Sequence, residues 1–194
     1  MQRYIMPLVW GFVVAAVVGF GLNRLEAAAG EPLGGMTFWT PMFLGALTAF
    51  VLANLAGNRK TTNATPYERD QALAFTPPAG QGLLVVYREG FVGKAAGLNV
   101  TVDGTVRAQL KSPRFVCLPL AAGSHQVGAA FGALAGAQNN AGNLSFTLAE
   151  GQAVVVRATL SMGLLKNTVN LERIDDIDGV RHKLRGVTMV KPEA

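Results

Sequence analysis

The side chains best suited to chemistry in this 194-residue chain are two histidines, His125 and His182, and one cysteine, Cys117. A thiolate beside an imidazole makes a nucleophile and its base, and Cys117 and His125 fall on adjacent predicted strands. So would any two residues of a hairpin. Cys117 sits in the apolar run Phe115-Val116-Cys117-Leu118, which predicts a buried, inert thiol. A zinc site needs three or four convergent nitrogen, sulfur or oxygen ligands, and no paired spacing of His and Cys is present. The acids Asp175-Asp176-Ile177-Asp178-Gly179 look like part of a calcium loop. With Gly179 as that loop's glycine, however, Ile174 and Arg185 occupy positions that require carboxylates. Helix capping explains the cluster better. Gly90-Phe91-Val92-Gly93-Lys94-Ala95 is not a phosphate loop, because Arg88 replaces the first glycine and Ala95 lacks the magnesium-binding hydroxyl. These residues predict no catalytic centre, metal, cofactor or small-molecule substrate, so the chain is read as a non-enzyme.

What remains is electrostatic. Lys94, Arg107, Lys111 and Arg114 fall in a stretch with a single acid, Asp103. Arg107 and Arg114 are expected to share an edge. Strand faces carry such charges routinely; the functional version is a face that meets lipid headgroups or an acidic partner. The net charge of +5 lies entirely after residue 57, because Arg3 and Arg24 cancel Glu26 and Glu31. An excess of this size suits a domain near anionic headgroups. The basic residues are scattered rather than blocked, which argues against nucleic acid. With one cysteine there is no intrachain disulfide and no implied oxidising compartment.

The elements that position these residues begin with two uncharged apolar runs, Ile5–Leu22 and Phe38–Ala56. Each is long enough, at ~1.5 Å per helical residue, to cross a bilayer core of ~30 Å. Pro7 and Pro41 are placed in the first turn of each helix, and Tyr4, Trp10, Phe38 and Trp39 near the interfaces. A glycine- and proline-containing loop, Asn23–Thr37, completes a transmembrane hairpin over residues 1–57. Small residues recur four apart: Gly11, Ala15 and Gly19 on the first helix, Gly45, Ala49 and Ala53 on the second. Such stripes let helices approach closely in lipid, either on each other or on a partner. The Ala27–Ala29 stretch offers a signal-peptide alternative, and burial in a soluble core is another; the length of both runs favours the hairpin. Arg3, Arg59 and Lys60 flank the helices, so both termini, and the domain that follows, are expected on the cytoplasmic side of a bacterial inner membrane. The alternative is periplasmic.

Residues 58–81 read as a proline-bounded linker, with Tyr67–Phe75 able to form a short amphipathic helix on the membrane or the domain. From Gly82 onward, period-two runs bounded by glycine predict strands: Leu83–Arg88, Leu98–Val102, Val106–Leu110, Arg114–Leu118, His125–Phe131, Leu144–Leu148, Ala153–Met162 and Thr168–Arg173. Asp103-Gly104 predicts a two-residue hairpin turn. Gly132–Asn143 reads as a mobile small-residue loop and Asp175–Arg185 as a helix. The expected fold is therefore a membrane-anchored α+β protein. Its two-helix hairpin precedes a mainly antiparallel β-sandwich (residues 82–194) with a short C-terminal helix.

Several motifs together resemble the bacterial DUF2846 family: Val85-Val86-Tyr87-Arg88, Val100-Thr101-Val102-Asp103-Gly104, Leu118-Pro119 with Gly123-Ser124-His125, and Gly151 before Ala153-Val154-Val155-Val156-Arg157. The ending Val169-Asn170-Leu171-Glu172 matches the same pattern. The resemblance covers about Gly82 to Arg185 and none of the hairpin. It implies a transthyretin-like or PEGA-like sandwich, brings no activity, and points to the cell envelope. The expected function is an accessory or scaffolding subunit of a bacterial membrane complex, packing laterally through its helices, with other subunits or itself, and binding protein through its β domain. The alternative is a sensory or ligand-binding domain for glycan, lipid or peptide, which requires aromatic side chains converging on an open groove.

Overall fold

A computed structural model describes residues 2–193, with side chains from Tyr4 to Glu193. The chain divides into two compact units, Met1–Ala56 and Gly57–Ala194.

The first unit is a pair of helices, α1 (Gln2–Ala29) and α2 (Met36–Leu55). Both meet the length and composition needed to cross a membrane. The helix α1 runs seven residues past Leu22, so the connection shrinks from the expected Asn23–Thr37 to residues 30–35. Leu25 and three alanines, all good helix formers, carry it onward, and Gly30, at φ +70°, ends it. Across the loop, Thr37 Oγ1 donates to Glu26 Oε2 at 3.0 Å. The helices also start earlier than expected, which puts Pro7 and Pro41 beyond the first turn. Each forfeits one backbone bond there, and both rings are buried. Arg3, expected as a flanking charge, has its side chain outside the described residues.

The second unit is a sandwich with a helical layer on one side. Its strands are β1 (Gln81–Arg88), β2 (Leu98–Val102), β3 (Thr105–Leu110), β4 (Arg114–Ala121) and β5 (Gly123–Phe131). They are followed by β6 (Asn139–Asn140), β7 (Gly142–Leu148), β8 (Ala153–Ser161), β9 (Asn167–Ile174) and β10 (Thr188–Met189). One sheet has the order β10-β4-β1-β8-β9-β6 and the other β3-β2-β5-β7. Pairing is mostly antiparallel, but β1 runs parallel to β8, Leu83 opposite Ala153 through Arg88 opposite Ala158. Between the sheets, Leu84, Val86, Val116 and Val156 meet Val100, Val127 and Leu148. The alternate residues Leu83, Val85, Tyr87, Phe115 and Cys117 face the other way. They are covered by Leu73 and Phe75 after α3 (Pro66–Ala72), and by Val180 and Leu184 of α5 (Ile177–Leu184). That second cover explains why β1 is one unbroken apolar run, Gly82-Leu83-Leu84-Val85-Val86-Tyr87: both of its faces are dry.

Residues 58–81, expected as a linker, belong to this unit. Thr65 and Glu68 close a capping box at the start of α3. Residues 62–64 pair with 189–191, through Ala64 N–H to Met189 O and Lys191 N–H to Thr62 O, both 2.9 Å. This covers the β10 edge of the large sheet. The expected mobile loop Gly132–Asn143 is also structured, holding α4 (Ala133–Ala137), β6 and the start of β7. Ala135 packs there against Leu98, Phe131 and Val169. Short alanine side chains give no helical or strand periodicity to read, and only this apolar end of the sandwich selects the helix.

Candidate functional site

The two small-residue stripes meet each other. A Cβ on Gly11 would stand 2.6 Å from Gly45 O and 2.8 Å from Ala49 Cβ, and one on Gly45 would stand 2.6 Å from Gly11 O and 2.8 Å from Ala15 Cβ. Glycine at both positions is therefore what lets the backbones touch. Further along, Gly19 faces Pro41, whose Cγ would be 3.6 Å away, and Ala53 is half-buried. Beside this seam runs a shallow apolar groove of about 270 Å³, lined by Leu8, Phe12, Met42 and Ala46 as well as stripe residues. The outward side chains, Phe12, Phe20, Phe43 and Leu47 among them, are exposed.

The basic residues divide. Lys94, Lys111 and Arg114 line one depression of about 400 Å³, together with the segment Gly186–Thr188. Its walls come from the loop after β1, the β3–β4 connection and the residues after α5. Arg114 donates to Thr61 Oγ1 and Asn63 Oδ1, both at 3.3 Å. Arg107 does not join them. It lies on β3 of the small sheet whereas Arg114 is on β4 of the large one, so the expected shared edge does not exist. Its carbonyl accepts from Glu193 N–H at 2.7 Å. Of the flanking charges, Arg59 pairs with Glu193 at 2.7 Å and Lys60 is exposed.

Two polar centres were not foreseen. Arg88, only 3% exposed, ends β1 and points into the loop that follows. Its guanidinium donates to Ala96 O at 2.5 Å, Leu110 O at 2.9 Å and Gly93 O at 2.7 Å, and stacks 4.9 Å from the Phe131 ring centroid. Burial lowers its pKa to about 10, so it remains charged at neutral pH. It acts as a clasp that shapes residues 89–97. The sequence signal was a lone cation at the end of a run with both faces apolar. The second centre is Gln109, 1% exposed. Its Nε2 donates to Gly57 O at 3.0 Å and Asn99 Oδ1 at 2.8 Å, while its Oε1 accepts from Arg59 N–H at 2.7 Å. Asn58 completes the joint, accepting from Gly97 N–H at 2.6 Å and donating to Ala95 O at 3.0 Å. These partners lie tens of residues apart, and no spacing announces them.

Cys117 and His125 do not form a pair. Cys117 lies on the helix-covered face of the large sheet, where burial pushes its thiol up to about 12. His125 lies on the small sheet, its Nδ1 2.7 Å from Asp103 Oδ2 and its Nε2 2.9 Å from Ala121 O. The Asp103 carboxylate, then the Ala121 carbonyl, raise the His125 pKa; the Gln126 backbone N–H, then His125, lower that of Asp103. Among the described residues no three His, Cys, Asp or Glu side chains gather where they could hold a metal ion. Asp176 caps α5, accepting from Gly179 N–H at 2.9 Å. Of the aromatics beyond residue 81, Tyr87, Phe115, Phe131 and Phe146 are buried and Phe91 alone is exposed, so they line no open groove. No protein-family model matches the chain, and no curated protein is significantly similar to it.

Proposed function

We propose that this chain is a non-enzymatic accessory or scaffolding subunit of a bacterial membrane complex. The helical pair anchors it and offers lateral contacts, and the β domain binds another protein. One observation carries the anchoring. Only 11% of the residues in either apolar window are buried, whereas a core helix of a water-soluble domain hides most of its apolar surface. A bilayer is the solvent that such a pair of helices requires. The helix seam is closed by Gly11 and Gly45, and the apolar groove beside it is left for lipid or a neighbouring helix. The resemblance of Gly82–Arg185 to DUF2846 domains belongs to the same reading, since it implies a sandwich without an activity. The inaccessible Cys117 and the distant, hydrogen-bonded His125 favour binding over catalysis.

The flanking positive charges put the sandwich on the cytoplasmic side. A cysteine replacing the exposed Thr105 should react with an impermeant maleimide only when the cytoplasmic face is open. Labelling from outside alone would reverse the orientation and move the partner to the envelope side. Purification in mild detergent should retain a stoichiometric protein partner. Recovery of a clean monomer from several detergents would overturn the subunit reading.

A further inference from the structure

The most exposed large apolar side chains of the Gly57–Ala194 unit gather at one end of the sandwich. Phe91 is 82% exposed, Met162 77% and Leu165 95%, and Leu164 is wholly exposed. Phe91 lies in the loop after β1 and the other three in the loop after β8. Because β1 and β8 are parallel neighbours, both loops leave the sheet side by side. Gly93 of the first loop lies against Leu160 at the root of the second. Apolar clusters of this kind are rarely left to water.

Cations accompany them. Lys94 and Lys166 are in the same two loops and exposed, and Lys111 and Arg114 open on the adjoining depression. The acids at this end are engaged: Glu89 pairs with Arg157 and Lys183, and Glu193 with Arg59. An apolar tip within a basic collar is the composition of a surface that seats in anionic headgroups.

The chain itself selects that surface. Gly57 follows the last residue of α2, Leu55, by two positions, a reach of at most ~7 Å. Asn58 is bonded to Ala95 and Gly97, at the base of the Phe91 loop. The strand-rich unit is thus joined to α2 at the base of the Phe91 loop. The opposite end, with the Asp103-Gly104 turn, has no such tether.

We infer that the loops 89–97 and 162–166 seat in the headgroup layer of the leaflet at which α2 ends. Phe91, Met162, Leu164 and Leu165 enter the acyl boundary, and Lys94 and Lys166 meet anionic phosphates. The sandwich is then held to the membrane at two points, by its helices and by its loop tips. This rests on the anchoring reading above.

The test uses the full chain in nanodiscs of phosphatidylcholine and phosphatidylglycerol. An environment-sensitive fluorophore is placed on single cysteines at Phe91, Leu164, Thr105 and, within α1, Val17; the buried Cys117 stays unlabelled. Exposed Phe91, Leu164 and Thr105 tolerate substitution without disturbing the core. With spin-labelled lipid, emission at Phe91 and Leu164 should fall by roughly half or more, as seating ~5–10 Å into the boundary requires, and emission at Thr105 should not change. Quenching at Val17 without quenching at Phe91 and Leu164 leaves the anchor standing and overturns the loop contact. No quenching at Val17 overturns both.

Discussion

Arg88 decides more of this domain than any residue its size would suggest. Its three carbonyl partners come from Gly93, Ala96 and Leu110, and removing the guanidinium takes a donor from each, Gly93 O keeping the Ala96 N–H at 3.0 Å. At ~1–3 kcal/mol for each unsatisfied buried group, Arg88→Met should cost about 2 kcal/mol or more. The urea midpoint of the full chain in detergent, followed by circular dichroism, checks this; an unchanged midpoint would refute the clasp. The His125–Asp103 pair makes a pH-dependent contribution. His125 titrates higher when folded, so its share is complete below the ordinary histidine value and lost as pH rises through the folded one. Asp103 titrates lower when folded, so its share is complete above the ordinary aspartate value and lost as pH falls through the folded one. The destabilisation of His125→Gln should therefore be greatest between about pH 4 and 6.5 and shrink at either side, within the ~1 kcal/mol of an exposed pair. A pH-independent difference would show that His125 acts by packing on Phe146, whose ring lies 5.8 Å away. Of these residues only Cys117 was readable beforehand, since its neighbours alone announce burial. Arg88 and Gln109 were not, because a buried polar group is defined by partners that the fold supplies.

Among the elements, the hairpin makes the sharpest claim. Cysteines replacing Gly19 and Pro41 would carry their Cβ atoms about 3.7 Å apart, close enough to cross-link. Adding Gly11→Ile should suppress that cross-link by about tenfold, the equivalent of the ~1–3 kcal/mol that overpacking costs. Undiminished cross-linking would mean that the helices do not meet at Gly11. The stripes were legible because a spacing of four defines one helix face. Which partner they meet was not, since a small-residue face suits many. All eight expected strands formed, as period-two runs between glycines demand, whereas helix ends moved: α1 continues past Leu22 through residues whose helix propensity outweighs the charges on Arg24 and Glu26.

For the whole molecule, the decisive change is that residues 58–81 are not a tether. Arg59 is held by Gln109 and Glu193, residues 62–64 pair with 189–191, and Leu73 and Phe75 lie in the core. Trypsin should therefore spare the bonds after Lys60 and Arg69 under native conditions; a true linker would be cut there first, and early fragments ending at either residue would refute the packing. Glu68 strengthens the same arrangement, its carboxyl lowered to about 2 by Lys191 and then by the Thr65 backbone N–H. Its contribution is present above the ordinary glutamate value and lost as the pH falls towards the folded one. Composition and periodicity by themselves determined that two helices are long and apolar enough to cross a membrane, that a sandwich of short strands follows them, and that the helices carry a close-packing face, because these are properties of single segments. Tertiary structure alone decided that the hairpin closes on Gly11 and Gly45, that Arg107 parts from Arg114, and that a third layer dries both faces of β1. It also brought the Phe91 and Leu164 loops side by side at one end of the sandwich. Each of those depends on which distant segments become neighbours, and local patterning does not encode that.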